Sequence, residues 1–216
     1  SAQRAAQRKS PNGTTPRLQS ALMETLPNTG GSNASSDADE CAVLARVAAG
    51  DRRAFDALYR EYWPRLTRFL DQVMRQPGLA EDVLNETMLV VWRSAGTFKA
   101  QSRVSTWIFS IAYRKGLKAL KQRRGSLQQI EMPFDARSQD DPERDAMRAQ
   151  LQRQVRRALD VLSPEQRAVV ELTYYHGYAY AEIAQVMECP VDTVKTRMFH
   201  ARRKLRLAIE PDDEVE

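Results

Sequence analysis

The sequence predicts an all-α protein: two small helical domains joined by a flexible acidic linker, the C-terminal one a helix-turn-helix domain. Three observations carry this expectation. Glycine is scarce, at 9 of 216 residues, while Arg, Ala and Leu abound, a composition that favours helices. Apolar residues recur at i, i+3 and i+4 from Asp39 to about Leu120, and again from Met147 onward. Between them, residues 125–141 lose that period and gain Glu131, Asp135, Asp140 and Asp141, with Pro133 inside and Pro142 just after.

Taken in order, residues 1–38 are rich in Ser, Asn, Gly, Thr, Gln and Pro and read as a disordered tail. A first domain is expected over 39–124. Cys41, Leu44 and Val47 mark a short helix ending at Gly50, a favourable residue just past a helix end. Phe55, Leu58, Tyr62, Leu66, Phe69 and Val73 continue a buried stripe, which Pro64 should kink or restart. Gln76-Pro77-Gly78 reads as a turn, and a helix from Ala80 to Ser94 follows, ended by Gly96. A polar loop then leads to a helix over about Ser105 to Arg124.

A second domain is expected over 142–209, with 210–216 an acidic fringe. Ser163-Pro164-Glu165-Gln166 combines an N-cap serine, proline at the first helical position and a capping-box glutamine. Ile183, Ala184 and Met187 give the next helix an apolar face. Glu188-Cys189-Pro190 breaks the period, and Asp192 or Thr193 is placed to cap a new helix. In that helix Val194, Met198, Ala201 and Leu205 form the buried stripe. Thr196, Phe199, His200 and Arg203 fall opposite, flanked by Lys195 and Arg202, as in a recognition helix lying in the major groove.

The helix near residue 105 offers a second nucleic-acid surface. Between Ser102 and Arg124 there are seven bases and no acid, and Trp107, Arg114, Lys118 and Lys121 align opposite Ile108, Phe109, Ala112 and Leu120. Bases track phosphates while an aromatic ring stacks on an unpaired base, which suits single-stranded or melted DNA. Trp107 half-buried beside an ordinary basic face is the competing reading. Net charge is +5 with a pI near 9.4, and where that charge sits matters more than its total.

Other classes receive little support. Cys41 and Cys189 lack metal-ligand spacing and read as idle thiols; His176 and His200, the two histidines, belong to no triad or metal pattern. Glu81, Asp82 and Glu86 suit a solvent or protein-contact face better than a metal site. No cofactor or metal is expected, and the protein is read as a non-enzyme. No apolar run reaches membrane-spanning length and no secretory signal opens the chain, so a cytoplasmic protein without membrane insertion is expected. The opening Ser1 reads as a processed or trimmed start.

AEDVLNETMLVVW (Ala80 to Trp92), STWIFSIAYRKGLKALKQRR (Ser105 to Arg124), LSPEQR (Leu162 to Arg167) and AEIAQVMECPVDTVKTRMFHARRKL (Ala181 to Leu205), in this order, resemble the extracytoplasmic-function (ECF) sigma factors of bacterial RNA polymerase. The likeness spans Asp39 to about Leu207. It implies a dissociable subunit that binds core polymerase and directs promoter-specific initiation, with sigma domain 2 over 39–124 and sigma domain 4 over 142–209. It implies that Asp82, Asn85 and Glu86 dock on the β′ clamp helices, with the β flap a further contact on the core polymerase. −35 DNA would be met by Thr193, Lys195, Thr196, Phe199, His200 and Arg203. Melted −10 DNA would be met by Arg103, Trp107, Arg114, Lys118 and Lys121. The linker would thread toward the active-site and RNA-exit channels, and an anti-sigma factor is a possible further partner. The chain departs from the family pattern at Asn85, at Tyr113-Arg114, at Lys118, and at Glu188 and Asp192, the last two standing where glycine is frequent. An autonomous helix-turn-helix repressor or activator is the alternative, and a recombinase or nuclease a more distant one.

Overall fold

The structure, a computed structural model, describes residues 33–126 and 159–209. The tail up to residue 32, most of the expected linker and the acidic residues 210–216 lie outside the described residues. Seven α-helices appear there: α1 (Asn33–Ala48), α2 (Arg52–Met74), α3 (Pro77–Ser94), α4 (Val104–Ser126), α5 (Pro164–Tyr174), α6 (Tyr180–Met187) and α7 (Val191–Ile209). A 3₁₀ turn, Ala95–Thr97, follows α3. Among the described residues there is no strand.

Helix α1 begins at Asn33, six residues before the expected Asp39. Asp37 repays that extension by pairing with Arg103 at 2.8 Å. Asp51 caps α2, its side chain accepting from the N–H groups of Arg53 and Ala54. These bonds and Arg46 hold its carboxyl below the usual aspartate range.

Pro64 neither ends nor restarts α2, which stays helical for 23 residues. The proline lies on the exposed side, so the carbonyl deprived of a donor can turn to water. Leu58, Tyr62, Leu66, Phe69 and Leu70 anchor the opposite side on both flanks of the break. Pro77 and Gly78 also belong to a helix rather than a turn. Arg75, left-handed at φ 58°, makes the reversal, and Pro77 takes the first position of α3, where its missing N–H costs nothing.

In the C-terminal half, the Ser163–Gln166 capping box forms in both directions, as expected. Asp192 and Thr193 do not cap α7, because that helix starts at Val191 and takes both into its first turn. Glu188 closes α6 in the left-handed region at φ 50° and ψ 48°, a conformation that glycine adopts without strain.

The two halves are not held apart. A single buried cluster runs through both, from Leu44 to Ala201. Helix α4 packs on α6, and α2 on α5. The seam is filled by His176 and Tyr178, whose rings lie 4.7 and 5.6 Å from that of Phe109. Around them, Arg68 Nε donates to Glu171 Oε1 at 2.7 Å, and Arg167 donates to the Val73 carbonyl at 2.9 and 3.1 Å. Burial pushes the Glu171 carboxyl up against the opposing pull of Arg68. The same desolvation holds the His176 imidazole down at about 3.

Candidate nucleic-acid and polymerase interface

Three helices display the residues singled out from sequence. On α7, Val194, Met198 and Ala201 are 0, 2 and 0% exposed and fix the rotation of the helix. Lys195, Thr196, Phe199, His200 and Arg203 consequently all face solvent, with Thr193 half-buried at the edge. Phe199 is 65% exposed, an unusual state for a phenylalanine, and its ring meets the edge of His200 at 5.5 Å. Lys195 Nζ donates to Asp192 Oδ1 at 2.9 Å, a solvent-facing pair that contributes little and yields readily to a phosphate. Arg202, by contrast, turns back to donate to the Tyr174 hydroxyl at 3.1 Å and so works within the fold.

On α3, Asp82, Asn85 and Glu86 share one exposed face while Val83, Leu84, Thr87 and Met88 are buried on the other. Glu86 accepts from Lys115 Nζ at 3.0 Å, and Asn85 from the Tyr59 hydroxyl at 3.3 Å. Leu89 continues this face one turn on and is 45% exposed. Sequence reasoning missed it; the signal was its place four residues after Asn85, seven after Asp82, outside the buried stripe.

The α4 surface is less open than its sequence suggests. Lys118 and Lys121 are exposed as expected. Trp107 is only half-buried, packed on the core with Phe98 at 5.4 Å between ring centroids. Arg103 and Arg114 both reach acids of the C-terminal half, Glu182 and Glu188 respectively. Tyr113 is 4% exposed, and burial pushes its phenol up. The five α4-side residues therefore divide: two lysines and one tryptophan edge are presented, and two arginines are engaged.

Among the described residues no group of three or more His, Cys, Asp or Glu is placed to hold a metal ion. Cys41 and Cys189 are half-buried free thiols, and Cys189 Sγ accepts from Arg197 at 3.5 Å. Among those residues, too, no helix is long and apolar enough to cross a membrane.

Comparison with known proteins places the chain in a family. Sigma-70 region 2 matches residues 58–125, and Sigma-70 region 4 matches residues 152–205. The ECF RNA polymerase sigma factor SigK of Mycobacterium tuberculosis is 32% identical over 184 residues, covering 82% of this chain and 96% of that protein. RNA polymerase sigma-H factor of Pseudomonas aeruginosa is 28% identical over 179 residues, covering 78% and 93%. Of solved structures, CnrH in complex with the cytosolic domain of CnrY superposes with TM-score 0.60 at 24% identity, over 81% of this chain and 99% of that one. The sigma factor RpoE in complex with the anti-sigma factor NepR, from Bartonella quintana, gives 0.55 at 22%, over 72% and 98%. Those two likenesses speak for the fold. With both regions matched in order, and SigK sharing nearly a third of its residues along almost its whole length, the chain belongs to the ECF sigma factors of bacterial RNA polymerase.

Proposed function

We propose that this sigma factor, which binds core RNA polymerase and directs promoter-specific transcription initiation, divides that work among three faces. The α3 face of Asp82, Asn85, Glu86 and Leu89 docks on the β′ clamp helices. The exposed face of α7, with Thr193, Lys195, Thr196, Phe199, His200 and Arg203, reads −35 duplex. Arg103, Trp107, Arg114, Lys118 and Lys121 on and beside α4 take the melted −10 strand. The observation that carries the assignment is the sidedness of α7: every candidate contact except Thr193 is exposed, and the buried stripe opposite leaves the helix one rotation. Residues 39–124 act as domain 2 and 142–209 as domain 4, with 125–141 the connection between them. The protein acts in the cytoplasm beside the polymerase, carries no covalent chemistry of its own, and accepts an anti-sigma factor as a further partner.

Run-off transcription with core polymerase on a promoter library tests the reading as a whole. Promoter-dependent product is expected, and core binding without any such product would overturn it. An autonomous operator-binding protein would instead bind specifically without polymerase.

Three variants test two of the faces separately. Lys195→Ala and Arg203→Ala should each weaken −35 binding and lower the salt slope by about one. An unchanged slope in both would remove the helix from the groove. Glu86→Lys should impair core binding, read by gel filtration with core, while the melting curve stays in place. Normal core affinity would show that this face is not the docking face.

A further inference from the structure

Among the described residues of α7, Asp192 is the only acid. At about 100° per residue it falls opposite the buried Val194, Met198 and Ala201, in line with Thr196, Phe199 and Arg203. A carboxylate therefore heads the stripe assigned to −35 duplex. The helix dipole favours an acid anywhere in that first turn, but does not call for one in line with the DNA contacts. The Asp192 side chain is 90% exposed, its Oδ1 accepting from Lys195 Nζ at 2.9 Å. Its backbone carbonyl accepts from the Thr196 hydroxyl at 2.9 Å, which ties the heads of the two side chains' turns together without covering the carboxylate.

On a surface that meets a polyanion, this carboxylate needs a donor. The solvent-facing pair with Lys195 is weak, and it is given up as Lys195 turns to phosphate. In the major groove most base-edge atoms repel an acid: guanine N7 and O6, thymine O4 and adenine N7 are all acceptors. Only the exocyclic amino groups, N4 of cytosine and N6 of adenine, donate there. Cytosine suits a carboxylate better. Adenine N7 flanks N6 and opposes the second oxygen, whereas cytosine presents no acceptor on its own edge.

We propose that Asp192 is a specificity-determining residue of the −35 reader, accepting from an exocyclic amino group in the major groove, that of cytosine before that of adenine. It works as much by exclusion as by attraction, since thymine or guanine at that position leaves the carboxylate against an acceptor. The proposal rests on the reading of α7 as the −35 helix.

Holoenzyme reconstituted from the full chain and core polymerase selects duplexes from a promoter library randomised through the −35 region, and the bound fraction is sequenced. The natural chain should enrich cytosine over thymine and guanine at one −35 position by about tenfold. Asp192→Ala should flatten that position alone and tighten binding to duplexes that lack the amino group. Asp192→Asn should turn the preference to adenine, because an amide both accepts from N6 and donates to N7. A merely structural acid in the first turn would change overall binding and leave every preference in place. Enrichment of adenine by the natural chain at the position that Asp192→Ala flattens assigns the amino group to adenine N6. A motif unchanged at every position in Asp192→Ala would overturn the proposal and leave the −35 reading of α7 standing. So would thymine or guanine as the base favoured at the position that responds. If the natural chain enriches no −35 motif at all, the α7 reading falls and this role of Asp192 with it.

Discussion

Phe109→Ala should lower the free energy of unfolding by about 3–5 kcal/mol, the largest single loss expected in this chain. Phe109 is fully buried, its ring edge-on to Phe69 at 5.1 Å within the N-terminal half. Two further ring contacts, His176 and Tyr178, come from the C-terminal half. Truncation therefore opens a cavity in the core and removes the socket of the seam at once. Denaturant unfolding followed by circular dichroism measures the loss, and Phe109→Leu should recover a large part of it. A loss below about 1 kcal/mol would mean that the ring is not central to either contact.

Acidification should weaken the seam through His176. Burial, aided by the Arg65 and Arg68 cations, holds this imidazole at about 3 against an ordinary 6.5. Between those values the unfolded chain binds the proton and the folded chain refuses it. The stabilising contribution is complete above pH 6.5 and declines as pH falls toward 3. At pH 5 the loss should be about 1–2 kcal/mol, since a ring still partly in contact with water does not carry the whole shift. Glu40 and Glu171 work in the opposite sense: burial raises both carboxyls, so the folded chain takes up their protons more readily as pH falls. The comparison that isolates the histidine is the stability difference between pH 7 and pH 5 in the natural chain and in His176→Gln. The variant should show the smaller acid loss, and identical profiles would leave His176 without a part in it.

Local rules made most of the helices legible. The stripe of Val194, Met198 and Ala201 is buried as its spacing demands, and that alone placed Phe199 and His200 outside. Ser163 and Gln166 announced the start of α5 because their chemistry lies within four residues. What stayed hidden depends on partners distant in sequence. Ser105, Thr106 and Ser110 are buried on α4, yet as polar residues they gave no apolar signal. Arg68 and Glu171 meet across 103 positions, and no periodicity marks such a pair. On the candidate site, the Asp82, Asn85 and Glu86 face was legible through the family likeness of the stretch from Ala80 to Trp92. Its apolar member Leu89 was passed over despite its spacing from Asp82 and Asn85, because a leucine in a helix reads as core. Glu188 drew notice for replacing a frequent glycine, but its ion pair with Arg114 required both helices in place.

The Arg167 guanidinium donating to the Val73 carbonyl has a consequence for how the molecule comes apart. The final carbonyls of any helix lack partners within the helix itself. Here one of those at the end of α2 is satisfied by a side chain borrowed from α5. Drawing the halves apart returns that carbonyl to water and loosens the last turn of α2, where the Arg75 N–H bonds to the Asp71 carbonyl. The backbone of one half thus registers the position of the other. Amide exchange at Arg75 is a built-in gauge of opening, carried by a residue that touches neither DNA face.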